Sequence, residues 1–176
     1  MYRQLLTQNR KVSGVGPTPL AIGAPVATTS GTSVDVTAGF GGAKRISLLF
    51  TGVSTNGVSP LMLQLGDSGG FETSSYLGSA SNLSTAVGTA QHSSGFQISG
   101  AVAGTTIQHG ILTLVLQESA TNTWVIEGGL GHSNATVTTV VRGAKALSDV
   151  LTQIRLTTVG GSDTFDAGSI SVMVET

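Results

Sequence analysis

Short runs of β-branched and aliphatic residues recur between clusters of Gly, Ser and Asn from Gly31 to the end of the chain. Runs of this length and spacing are typical of strands in an antiparallel sandwich or barrel. Only 10% of the 176 residues are charged and 25 are Gly, a composition that favours a turn-rich β protein over a coiled coil or helical bundle. The chain is therefore predicted to be all-β.

We expect about nine or ten antiparallel strands around one core, because a chain of this length usually forms one domain. The predicted strands are residues 33–37, 45–51, 61–65, 71–76, 95–99, 106–117, 123–128, 136–141, 154–158 and 169–175. In one of them Leu112, Leu114 and Leu116 share a face, which predicts that all three are buried. Residues 143–151 are the one helix candidate, of one or two turns, since Ala, Leu and Val cluster there at roughly helical spacing. The predicted architecture is a jelly-roll-like β-sandwich.

The first thirty residues differ in composition from the rest of the chain. Three of the four prolines lie there, and the first eleven positions contain three basic residues and no acid. Residues 1–30 are therefore predicted to form an extended attachment arm, and residues 31–176 the β domain. The predicted attachment residues are two apolar anchors and three cations: Leu5, Leu6, Arg3, Arg10 and Lys11.

Charge and cysteine content exclude several classes of function. A formal charge of -1 is too balanced for nucleic-acid capture by the whole domain. With no cysteine, the chain has neither disulfides nor zinc–thiolate sites. No apolar run approaches the ~18 residues of a membrane span, and the N-terminus lacks the apolar run of a secretory signal, so we expect a soluble protein made in the cytosol.

Residues 66–70, Gly-Asp-Ser-Gly-Gly, match the five residues around the nucleophile of chymotrypsin-like serine proteases. That family places its histidine base before the serine in the chain. Here all three histidines follow Ser68: His92, His109 and His132. We therefore favour a tight turn, capped by Asp67 and Ser68, in which Gly69 and Gly70 supply positive φ. A serine hydrolase is kept as a remote alternative, and the protein is predicted not to be an enzyme.

No metal or cofactor is predicted. The histidines lack the spacing of a metal pair, although a threefold axis would gather one histidine per subunit. Asp163, Thr164 and Asp166 are similar to a sparse calcium loop, but a turn whose carboxylates accept backbone amides is favoured. Trp124, the single tryptophan, is predicted to lie in the core or at a subunit interface rather than in a ligand site.

From about residue 31 to 175 the chain resembles a module found at the C-termini of tailed-bacteriophage tail-fibre and related tail proteins. The resemblance rests on an ordered series of segments: AKRISLLFTGVSTNG (43–57), LMLQLGDSGGFETSSY (61–76), GF (95–96), the lone Trp124 in a late strand, and IRLTTVGGSDTFDAGSISVMVE (154–175). It covers roughly four-fifths of the chain, and none of its motifs is catalytic.

This resemblance implies a non-enzymatic phage structural protein located in the virion. Because phage fibres are usually trimers, and low-charge sheet edges favour association, we expect a homotrimer. Its arm would bind other virion proteins of the tail or capsid, while its β domain would attach to the host surface, where carbohydrate is a candidate partner. A head decoration protein is the alternative, since the domain begins only thirty residues after Met1. Neither nucleic-acid binding nor membrane insertion is expected.

Overall fold

The computed structural model of the chain describes residues 21–37, 39–85, 87–99 and 106–176. These residues form strands and no helix. The strands are β1 (Ala21–Ile22), β2 (Val26–Ala27), β3 (Ser33–Val36), β4 (Arg45–Thr55), β5 (Leu61–Asp67), β6 (Gly70–Phe71), β7 (Leu77–Leu83), β8 (Gly88–Gln91), β9 (Phe96–Gln97), β10 (Gln108–Glu118), β11 (Thr123–His132), β12 (Thr138–Ala146), β13 (Gln153–Thr158) and β14 (Phe165–Glu175).

The strands form two antiparallel sheets of unequal width. The larger sheet has nine strands in the order β1-β14-β4-β10-β11-β12-β7-β8, with β2 also paired to β14. The smaller sheet has five, in the order β3-β13-β5-β6, with β9 also paired to β5. The predicted all-β antiparallel sandwich is confirmed.

Alternating side chains from both sheets meet in one hydrophobic core. Leu112 and Leu114 of β10 are fully buried, as predicted, and Trp124 is 3% exposed in the same cluster. Leu116 is only partly buried, so its predicted full burial is wrong. The β10–β11 register is interrupted between Leu116 and Glu118, and this irregularity near the end of the strand places Leu116 at the margin of the core.

The last part of the predicted arm belongs to the larger sheet. Ala21 pairs with Val174 near the C-terminal end of β14, and Val26 pairs with Ile170 further along the same strand. The Thr28 hydroxyl then donates to the carbonyl of Ala167 at 2.7 Å. Residues 1–20, and with them the five predicted attachment residues, lie outside the described residues.

Two of the predicted elements are wrong. Residues 143–151 contain no helix, because β12 continues to Ala146 and is hydrogen-bonded to a strand on each side. Tertiary pairing thus overrides the weak helical spacing. The predicted strand at residues 71–76 is limited to Gly70–Phe71, and the segment that follows is a loop held by the buried Tyr76. Four strands were not predicted: β1, β2, β7 and β8.

The pairing between β4 and β14 contains irregularities where two glycines meet. The β14 register shifts between Phe165 and Ala167 and again between Ala167 and Ser169. Gly168, between these shifts, has a φ of 88°. A Cβ atom at this position would lie 2.4 Å from the carbonyl carbon and oxygen of Gly52. Glycine is therefore required here both by conformation and by the approach of two backbones.

The variant Gly168→Ala should be strongly destabilised, because its side chain would meet rigid backbone and its φ would be strained. We expect a loss of about 2–4 kcal/mol in the free energy of unfolding, measured by urea denaturation. Gly131→Ala is the matched control, since it also lies in a strand and its Cβ would meet nothing within 4 Å. Equal stability of the two variants would contradict the proposed close approach.

Candidate functional site

The Gly-Asp-Ser-Gly-Gly segment forms the tight turn between β5 and β6. The Asp67 carboxylate accepts the amide hydrogen of Gly69 at 2.8 Å, as predicted for a capped turn. Gly70 has a φ of 123°, whereas Gly69 does not have the predicted positive φ. Ser68 is exposed, and its hydroxyl donates to Asp149 at 3.5 Å. Since this partner is a carboxylate rather than a histidine, the geometry gives no support to a nucleophilic serine.

Behind this turn lies a polar network that the sequence did not indicate. The Ser148 hydroxyl donates to Asp67 at 2.6 Å, and the Ser148 amide donates to Glu72 at 2.7 Å. Glu72 also forms an ion pair with Lys145, whose side chain is only 3% exposed. The ammonium group lies 5.4 Å from the ring centroid of Tyr76. The network thus joins the β5–β6 turn to the end of β12.

Hydrogen bonds in this network stabilise the ionised carboxylates. The donors Ser148 and Gly69 hold the pKa of Asp67 below its ordinary value. Burial acts to raise the pKa of Glu72, but hydrogen bonds from Lys145 and Ser148 outweigh it, so that its pKa is also lowered. Tyr76, whose hydroxyl accepts the amide of Leu65 at 2.8 Å, has its pKa raised by burial. Asp67 and Glu72 therefore stay ionised at neutral pH, and Tyr76 stays neutral. Fixed protonation states of this kind suit a structural network.

The three histidines occupy separate environments. His92 packs edge-on against Phe96 at 5.4 Å, and its Nε2 lies 3.2 Å from the carbonyl of Arg142. His109 is exposed, and its Nδ1 accepts the amide of Gly52 at 3.1 Å. The ring nitrogens of His132 are buried without a hydrogen-bond partner. Burial lowers the pKa of both His92 and His132. Among the described residues, no three His, Asp or Glu side chains form a metal-binding cluster.

The candidate calcium loop is organised by turn hydrogen bonds. Asp163 accepts the amide hydrogen of Ser59 at 2.8 Å, in agreement with the favoured interpretation. Asp166 differs from it, because its carboxylate accepts the hydroxyl of Ser54 rather than a backbone amide. The two carboxylates therefore bind different segments: Asp166 binds the end of β4, and Asp163 binds the loop that follows β4.

The outer face of the larger sheet, defined as the side directed away from the smaller sheet, carries an apolar surface. Its central aliphatic side chains remain exposed or half-buried in the single chain: Leu49, Leu77, Ile111, Val115, Val125, Val140, Ala144 and Met173. Ile111 is 51% exposed and Leu77 68% exposed. These side chains form two apolar groups, separated by a row that contains Ser47, Thr113, Glu127 and Arg142. Exposed apolar side chains grouped on one sheet face are typical of sites of association.

Strand register aligns these side chains into rows. Leu49 of β4 lies opposite Ile111 of β10. A second row crosses four strands, from Val115 through Val125 and Ala144 to Leu77. The sequence of β10 contains a signal for this surface. Its apolar residues occupy both alternating sets of positions, so they lie on both faces of the sheet rather than on one.

Charges on this face occur as opposite partners on neighbouring strands. Arg45 lies opposite Glu175, with 3.6 Å between guanidinium and carboxylate. Glu127 of β11 lies opposite Arg142 of β12. The Arg142 guanidinium donates to the carbonyls of Gly128 and Val141. The charges of these two cations and two anions sum to zero, so the four residues leave the face little net charge to oppose contact with another apolar surface.

Comparisons of the chain with protein-family models, curated proteins and solved structures find no match. The similarity to phage tail modules therefore stays a prediction from the sequence segments. In the described part of the chain, no helix is long and apolar enough to cross a membrane.

The two partners of the buried ion pair should differ in their effect on stability. Replacing Glu72 by Ala leaves a nearly inaccessible ammonium without its carboxylate, and we expect a loss of about 2–4 kcal/mol in the free energy of unfolding. Replacing Lys145 by Met removes the buried charge and keeps most of the packing, and the loss should be about 1–2 kcal/mol. Urea denaturation at pH 7 measures both.

Proposed function

We propose that the protein is a non-enzymatic structural component of a bacteriophage virion, a short trimeric tail-fibre or adhesin-type protein that attaches to the host surface. The observation that carries this proposal is the apolar outer face of the larger sheet, with Ile111 near its centre. In a threefold assembly these faces meet around the axis, which would bury the exposed aliphatic side chains.

The positions of the two ends of the described domain support separate sites for anchoring and for attachment to the host. Ala21 pairs with Val174, so the segment before Ala21 joins the domain at the end where β14 finishes. The turn from β13 into β14 lies at the opposite end, about 30 Å away along β14. An anchor at residues 1–20 would thus leave the opposite end of the sandwich free to face the host surface.

A charge in the centre of the outer face should dissociate the trimer. Wild-type protein is expected to have about three times the mass of one 17.7 kDa chain in light scattering at micromolar concentration. The variant Ile111→Glu should be monomeric, because three buried carboxylates would have to lose their hydration. Val58→Glu is the matched control on a loop, where the side chain is 71% exposed, and it should remain trimeric. A monomeric wild-type protein would falsify the trimer.

Localisation on particles tests the virion role. Gold-labelled antibodies against the domain are expected to bind the tails of virions whose genome encodes this chain. Labelling across the head would favour the alternative, a capsid decoration protein, and unlabelled particles would refute both. A variant lacking residues 2–20 should keep its fold, because every described strand remains, but should not join particles. The triple variant Arg3→Gln, Arg10→Gln and Lys11→Gln should attach more weakly, especially in high salt.

A further inference from the structure

A polar groove lies on the outer face of the smaller sheet, the side directed away from the core. Its volume is about 400 Å³, within the range of small-molecule sites. Loops that contain Thr73 and Ser94 form one wall, and residues 159–161 close the end at the turn from β13 into β14. The groove is separate from the apolar outer face of the larger sheet.

The floor of the groove consists of two rows of side chains across three strands. One row is Arg155 and Gln64, with Asp35 paired to Arg155 just outside the lining, and the next row is Ser33, Thr157 and Met62. Alternate residues along a strand are about 7 Å apart, and three strands span about 10 Å, so the floor is about 7 by 10 Å. An area of this size fits one ring-shaped ligand unit.

Arg155 is held rigidly at the floor. Its Nε and Nη2 donate to the two carboxylate oxygens of Asp35, each at 2.8 Å. The guanidinium also stacks over the ring of Phe71, with 4.1 Å to the centroid. Asp35 neutralises the charge, while the guanidinium retains N–H groups beyond the two that bind the carboxylate. The groove therefore offers oriented donors without a net positive charge.

The remaining floor combines polar and apolar groups. Gln64 is only 7% exposed, and its Nε2 donates to the carbonyl of Ser94 at 3.0 Å, which fixes the amide. The Thr157 hydroxyl donates to the carbonyl of Thr32 at 2.9 Å and so presents its lone pairs as acceptors. Val159, which is 44% exposed, supplies the apolar surface, whereas Met62 in the floor is only 5% exposed. The groove thus places hydrogen-bond donors, hydrogen-bond acceptors and apolar surface close enough together to contact one sugar-sized ring.

We propose that this groove binds an uncharged saccharide unit of the host surface. A pyranose ring has hydroxyl groups around its edge and C–H groups on its faces, which complement this mixture of fixed polar groups and aliphatic side chains. A charged ligand would find no unpaired charge, and an extended peptide would need a longer groove than this one. The inference rests on the proposed attachment role for its biological meaning, and the groove lies toward the end of the sandwich opposite Ala21.

Titrations of the ¹⁵N-labelled protein test the site directly. The probes are glucose, galactose, mannose, rhamnose, N-acetylglucosamine and glucuronate at about 50 mM, enough to saturate a site with a Kd of about 1 mM. We expect at least one uncharged sugar to shift the amide resonances of residues 62–64 and 155–161. Glucuronate should bind more weakly than the best uncharged sugar.

Variants locate the contacts. Arg155→Lys removes the planar fork and should weaken sugar binding about tenfold, and Thr157→Val should weaken it several-fold. Thr138→Val, a strand threonine on the larger sheet, is the matched control and should bind as the wild type does. Thr157→Val keeps the test valid if Arg155→Lys fails to fold.

If none of the sugars shifts the groove resonances, the proposal is overturned. Unchanged sugar binding in both groove variants would also overturn it. Shifts caused by a neutral tripeptide instead of any sugar would contradict it in favour of a peptide partner. A protein that binds sugar in the groove but is missing from virions would refute the proposed function and leave the groove site standing. A virion protein with a silent groove would refute the groove site alone.

Discussion

Burial of aliphatic side chains between two sheets of unequal width is the interaction on which the structure depends. The larger sheet has nine strands and the smaller five, so the core between them covers one face of each. Residues such as Ile46, Leu48 and Leu114 are completely buried there. Because every strand has two faces, the sandwich also has two outer faces. The side chains on these faces are not needed to fill the core, so their composition can differ between the two sheets.

Those outer faces have different chemistry. The larger sheet presents aliphatic rows around Ile111, suited to another apolar surface, whereas the smaller sheet presents the fixed polar groups around Arg155. Apolar area stabilises association in proportion to the area removed from water. Oriented hydrogen-bond donors and acceptors discriminate among small polar ligands instead. The proposed assembly and the proposed recognition would therefore use opposite sides of one sandwich.

Few charges are present, and the important ones are paired. Lys145 is buried beside Glu72, and Arg155 is held by Asp35. A buried ion pair contributes little net stability compared with a packed apolar pair, but loss of one partner leaves an uncompensated charge. These pairs fix the loop after β6 and the floor of the groove, so their main contribution is to geometry.

The all-β class, most strand positions and the inward direction of Leu112 and Leu114 could be predicted from the sequence, because alternation and turn residues are local signals. The sequence also predicted the Asp67 turn, whose hydrogen bond to Gly69 spans two residues. Contacts between distant segments were needed to show that residues 143–146 are strand, that β1 and β2 pair with β14, and that Asp35, Arg155 and Gln64 share one row. These features join segments far apart in the chain, and their stability comes from pairing and packing that no local pattern records.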